Sequence, residues 1–190
     1  PSHDVVFVGS VFDERARFFN TIDWTGIDLG IYGTIEKGTL TPAGSAHVRG
    51  GPALNVMTAA LYRRAKIGLN IYRTSMGFSL QPGCPQITHA ESLNPRAYEL
   101  AACGVFHISD YRDEVAATFG VLVPTYQSPG DASRLIRYWL GRDAERRRKA
   151  TLLPASVAGA AWVERSILVI GDVQRLLEQS DRMGRDGVSV

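Results

Sequence analysis

The chain alternates short apolar runs with segments of helical spacing. Residues 4–10, DVVFVGS, are a β-branched run closed by glycine, and DERARFFNTI after them sets apolar positions three and four apart, so the pair predicts strand, tight turn and helix. DLGIYG at 28–33 predicts a second strand. The stretch 36–52, rich in Gly, Thr and Pro, predicts a long loop. ALNVMTAALYRRA at 53–65 predicts a helix with basic residues in its last turn, feeding the strand IGLNIYR at 67–73. After the irregular RTSMGFSLQPGCPQITHA come a helix over 95–103 and a buried strand over 105–110, and then DEVAATFG, VLVPTY and SRLIRYWL as helix, strand and helix. From 128 to about 179 the pattern stays helical. Continuous apolar strands alternating with helices predict an α/β protein: a single Rossmann-like, doubly wound parallel sheet covered on both faces, with a helical C-terminal end. One domain is expected over 1–190, with an α/β core at about 4–140, C-terminal helices at about 141–180 and a tail at 181–190. No internal repeat appears.

Composition changes this picture little. With 190 residues, 45% of them hydrophobic, the chain can bury a sizeable core. A net charge of +2 and a pI near 8.8 imply only a mild preference for anionic partners and no nucleic-acid footprint. No apolar run approaches the roughly 18 to 20 residues of a membrane helix, and PSHDVVFVGS lacks the regions of a signal peptide, so a cytoplasmic setting is the expectation. Cys84 in a Pro/Gly loop and Cys103 in a helix are too few for a zinc cluster or a disulfide framework, and reduced thiols are expected. The charge run RDAERRRKA predicts a solvated helix face. A start at Pro1 suggests a piece of something longer.

In sheets of this class ligands sit beyond the carboxyl ends of the strands. The residues there are Gly9 and Ser10, Gly33, Arg49, Gly50 and Gly51, Arg73, and the segment ESLNPRAYELAACG at 91–104. VGS is not a dinucleotide fingerprint, since G-x-G-x-x-G is absent and Val11 stands where a second glycine would be, and no GxxxxGK[ST] phosphate loop occurs. Arg15 and Arg17 on the following helix are within reach of an anion over that turn, although solvated arginines are commoner. Asn94 followed by Pro95 is a strong helix start, because asparagine caps free amides and proline suits the first helical position. Capping alone accounts for both residues, and Glu99 has an ordinary reading as a partner of Arg96 or a solvated residue. The same helix start also offers amides and the positive end of a dipole to a phosphate. Glu91 lies just before that start and Glu99 just over one turn inside, so a ligand with its phosphates there would meet a carboxylate on each side. A nucleotide-sugar carries hydroxyl-bearing rings on both sides of its diphosphate. His47 and His89 fall in loops and His107 in an apolar strand, where a core role is expected. Trp139, Trp162 and Tyr138 are expected to anchor the core of the helical end.

Glu91-x7-Glu99 resembles the E-x7-E motif of retaining, group 1 GT-B glycosyltransferases, and NPRAYELAACGVFHISDYRDEV resembles the corresponding block of their CgeB-like branch. DVVFVGS with its arginine-bearing helix, and LYRRAKIGLNIYR, are similar to the start of their C-terminal domain and to the helix and strand before the motif. The resemblance implies the donor-binding half of a metal-independent enzyme that uses a nucleotide diphosphate sugar, a UDP-sugar first, with no other cofactor. It implies that Glu99 holds the ribose, that Glu91 faces the donor sugar as the catalytic carboxylate, and that Ser92, Leu93, Asn94 and Arg96 meet the diphosphate with Gly9, Ser10, Arg15 and Arg17. Arg49 to Gly51 would lie near the base, and Arg73, just after its strand, would be among the cofactor-binding residues. The acceptor site would come from an absent N-terminal domain or a partner subunit, with nucleic acid entering only as an acceptor beside polysaccharide and protein. Two other readings stand beside it: a non-catalytic nucleotide-sugar-binding or scaffold module, and an unrelated doubly wound domain in which the spacing is accidental.

Overall fold

The computed structural model describes residues 2–72 and 92–186, and the chain divides into two units, Pro1–Ser156 and Val157–Val190. Among the described residues of the first unit six parallel strands run in the order β3-β2-β1-β4-β5-β6, with β1 Val5–Val8, β2 Leu29–Tyr32, β3 Val48–Gly50, β4 Ile67–Asn70, β5 His107–Asp110 and β6 Thr125–Tyr126. The order reverses between β1 and β4, which pair through Val5 with Ile67 and Val6 with Gly68. Such a reversal opens a crevice at the carboxyl ends of the two strands. The strands carry apolar residues almost without interruption because helices cover both faces. Alternate residues face opposite sides: Val5 and Phe7 enter the larger core with Phe19, Ile136 and Trp139, while Val6 packs with Tyr62 and Leu100 on the other side.

The helices of this unit are α1 Asp13–Thr21, α2 Pro42–Ser45, α3 Asn55–Arg63, α4 Pro95–Ala102, α5 Asp113–Phe119, α6 Pro129–Leu140 and α7 Asp143–Ser156. Thus α1 and α6 lie on the Phe7 side, and α3 and α4 on the Val6 side. The second unit contains α8, Trp162–Asp186, which exposes Val163, Ile167, Ile170, Val173 and Leu177, and which continues into the stretch expected as a tail. No helix among the described residues is long and apolar enough to cross a membrane.

Four expectations need correction. The 36–52 stretch is not all loop: Thr41 caps α2 through the Gly44 amide, Pro42 opens it, and β3 follows as a three-residue edge strand. An edge strand is half-exposed, so it lacks the apolar signature of its buried neighbours. VLVPTY holds only a two-residue strand, because Pro124 has no N–H for the ladder, and Gly120–Leu122 forms a 3-10 turn instead. Tyr138 is half-exposed and stacks on Arg142, since one step along α6 turns it about 100° from the buried Trp139. The basic run is not wholly solvated: Arg146 is 3% exposed and donates to the Trp139 carbonyl at 2.7 Å. His107 is a core residue as expected, fully buried, with Nδ1 at 3.1 Å from the Val105 carbonyl oxygen. Burial pushes its pKa down to about 4, which keeps the ring neutral.

Candidate functional site

The carboxyl ends of β1 and β4 are held together by two arginines. Arg15, third in α1, is buried and turns back so that its guanidinium donates to the Ser10 carbonyl and to the Ile71 carbonyl, both at 2.8 Å. Arg96, second in α4, donates from Nε to the Val8 carbonyl at 2.8 Å and from Nη1 to the same Ile71 carbonyl at 3.2 Å. Both guanidiniums lie over the Phe7 ring, at 5.4 and 4.6 Å from its centroid. Gly9 is required here: its φ is +150°, and a Cβ would overlap the Arg96 guanidinium. Gly33, at φ +146°, is packed against the Gly9 backbone in the same way. The crevice floor is therefore a glycine turn flanked by two fixed positive charges, a geometry suited to an anion.

The start of α4 is fixed by side chains from β4, from α5 and from the residue Tyr72 just after β4. Asn94 caps the helix by accepting the Ala97 amide at 3.0 Å, and its Nδ2 donates to Asn70 Oδ1 at 3.0 Å. Asn70 in turn donates to Ser109 Oγ at 3.0 Å, and its carbonyl accepts the Tyr126 hydroxyl at 2.8 Å. The Asn94 amide donates to the Tyr72 hydroxyl at 3.1 Å, and the Leu93 amide to Glu114 Oε2 at 2.5 Å. Two amides that the sequence offered to a phosphate are thus taken by protein groups, which leaves the arginines beside Gly9 as the positive groups at this end of the sheet. Asp110, at the end of β5, accepts the Tyr72 amide at 3.3 Å and lies 3.6 Å from Arg112, itself 4.8 Å above the Tyr72 ring. Burial outweighs these partners and lifts the Asp110 pKa to about 6, and burial likewise lifts that of Tyr72 to about 12.

On the Val6 side, Glu99 is exposed one turn into α4. Its charge, secondary to burial, raises the pKa values of Tyr62 and Cys103. Beside α3 a hollow of about 490 Å3 is lined by Tyr32, Arg49, Gly50, Gly51, Met57 and Leu61. It is mostly apolar, with Arg49 tied to the Ala46 carbonyl at 2.8 Å and 3.6 Å from Asp28. Leu54, Val56 and Met57 at the start of α3 stay exposed next to it.

Of the residues singled out in the sequence, Gly9, Ser10, Arg15, Asn94 and Arg96 come together at the β1/β4 crevice, with Leu93 joined through its amide. Glu99 and the Arg49 and Gly50 hollow lie toward α3. Ser92 is exposed before α4. Arg17 does not join the cluster: two steps along α1 turn it about 200° from Arg15, and it is exposed. Glu91, Arg73, His89 and Cys84 lie outside the described residues. Sequence reasoning missed Asn70, Tyr72, Asp110 and Glu114. A buried asparagine in IGLNIY was the one available signal, since buried amides need partners.

A family model described as glycosyl transferase-like matches residues 15–163. The chain belongs to that glycosyl transferase-like family. Solved structures agree on the fold of this glycosyltransferase-like chain. Sucrose-phosphate synthase from Thermosynechococcus elongatus superposes with a TM-score of 0.61 at 15% identity, over 94% of this chain and 46% of its own. A glycosyltransferase involved in avilamycin A biosynthesis gives 0.56 at 19% identity, over 96% and 51%. A mutant of the T4 phage BGT protein, in complex with UDP-glucose, gives 0.56 at 11% identity, over 83% and 43%. The chain therefore spans about half the length of these structures. No curated protein matches it in sequence.

Proposed function

We propose that the chain is the donor-binding half of a retaining, metal-independent glycosyltransferase that uses a nucleotide diphosphate sugar, with UDP as the nucleotide. The observation that carries this reading is the pair Arg15 and Arg96, fixed around Gly9 at the point where strand order reverses. The diphosphate lies against these guanidiniums at the entry to α4, the ribose reaches Glu99, and the base enters the hollow at Arg49 and Gly50. Glu91 faces the donor sugar. Cleavage of the anomeric bond leaves a nucleoside diphosphate whose growing charge meets guanidiniums already in place, so no reorganisation is needed at the moment of reaction. The neighbour bound to UDP-glucose supports the choice of ligand. The acceptor wall comes from a domain or partner subunit beyond this chain, which spans about half the length of the solved structures it matches, and without that wall water is not excluded from the donor.

Calorimetry with UDP and UDP-glucose on two variants tests the assignment. Glu99→Ala is expected to weaken both ligands by on the order of 1.5 to 3 kcal/mol, because the ribose contact is common to them. Glu91→Ala is expected to leave UDP unchanged and to weaken UDP-glucose alone. Identical behaviour of the two variants would remove the carboxylates from opposite sides of the diphosphate.

A further inference from the structure

We infer that Glu114 is a positioning residue that clamps the entry of α4, and through it Arg96, at the phosphate end of the proposed site. The inference rests on that reading of the site and adds a residue to it from a different element. Glu114 lies in the first turn of α5, yet both of its oxygens serve α4: Oε2 accepts the Leu93 amide at 2.5 Å, and Oε1 meets the Tyr98 hydroxyl at a longer 3.5 Å. One bond falls just before the helix and the other on its first full turn, so the carboxylate spans the N-cap. A half-buried carboxylate otherwise keeps its water, and its engagement here sets it at the positive ends of two helices, α4 and its own α5. The next residue of the same entry, Asn94, is tied to Asn70 of β4 and to Tyr72 just after it. Without Glu114 the Leu93 amide loses its partner and the chain entering α4 is held only from Asn94 onward. Arg96 is two residues beyond Asn94, and its bonds to Val8 and Ile71 demand that α4 start at one place. Guanidinium placement is thereby coupled to α5.

A rival account is that Glu114 is a stand-in, occupying the Leu93 amide until a substrate phosphate displaces it. The two accounts differ in sign. As a clamp, Glu114→Ala weakens UDP about tenfold, the worth of one charge-assisted hydrogen bond. As a stand-in, the same change frees the amide and tightens UDP. The test combines calorimetry of UDP with amide exchange by NMR on the wild type, Glu114→Ala and Glu114→Gln. The clamp predicts that Glu114→Ala loses protection at Leu93 by at least tenfold, while the Ile31 amide, bonded to His47 in the sheet at 2.9 Å, keeps its own. Glu114→Gln retains an acceptor oxygen and should recover most of both. Tighter or unchanged UDP binding in Glu114→Ala, or equal loss of protection at Leu93 and Ile31, overturns the inference. A wild type that binds no UDP overturns the reading of the site, whereas unchanged Leu93 protection in Glu114→Ala overturns the clamp itself.

Discussion

Helices α1 and α4 both begin at the carboxyl edge of the sheet, one after β1 and the other after β4, on either side of the crevice. Their first turns are built differently. The N-cap of α1 is Phe12, which makes no side-chain cap, and Asp13 and Glu14 follow it. The N-cap of α4 is Asn94, capped by its own side chain, with Pro95 next and no acid in the first turn. An anion near α1 meets two carboxylates of that helix's own first turn, whereas α4 has none there and the one carboxylate at its entry, Glu114, reaches it from α5 and is engaged by the Leu93 amide. The contribution of α1 is its arginine, folded back under the Gly9 turn, and not its amides. On the proposed reading, the turn after the first strand is not itself the phosphate site, because Asp13 and Glu14 already occupy the positive end of α1.

Breaking the α4 side should have the largest effect. Arg96→Ala removes the bonds to Val8 and Ile71 and the charge beside Gly9, so stability should fall by roughly 3 kcal/mol, as measured by urea unfolding, and UDP binding should be lost in calorimetry. Asp110 comes next, through pH. Its pKa is raised to about 6 in the folded protein, so the stability tied to its protonation is complete below the unfolded value near 4 and is lost as pH rises through 6. Unfolding free energies should show a component of about 2 to 3 kcal/mol falling over that window, absent in Asp110→Asn; equal slopes in both proteins would contradict the burial assigned to Asp110. Asn94→Ala deletes a cap and the tether to Asn70, at a cost of about 1 to 2 kcal/mol in thermal or chemical unfolding. Asp13→Asn is the smallest. It should cost a few tenths of a kcal/mol of stability and change UDP affinity less than about twofold, because the proposed phosphate position is at the entry to α4 and not at the amides of α1. A large gain in affinity would bring the ligand back to that helix.

Much of this was legible in the sequence, for reasons that particular residues make plain. The strands at 4–10, 28–33 and 105–110 were readable because both faces are buried, and the α4 start was readable because Asn-Pro is a local signal. The edge strand Val48–Gly50 escaped because half-exposed residues carry no apolar run. Arg15 and Arg96 were picked out as ligand groups, but their structural duty to the Ile71 carbonyl joins positions far apart in the chain. The ties from Asn70, Tyr72 and Glu114 to α4 are of the same kind: each is made by residues 20 or more apart, from 21 for Leu93–Glu114 to 24 for Asn94–Asn70, and no spacing rule reaches them.

The central claim is that the diphosphate is held at the α4 side of the crevice by arginines and without metal. Amide chemical-shift mapping of UDP binding, with a chelator present, tests it most directly. The account predicts that shifts concentrate at Gly9, Asn94, Arg96 and Glu99 and leave Asp13 and Glu14 little changed. Shifts centred on Asp13 and Glu14, or binding that appears only when magnesium is restored, would contradict it.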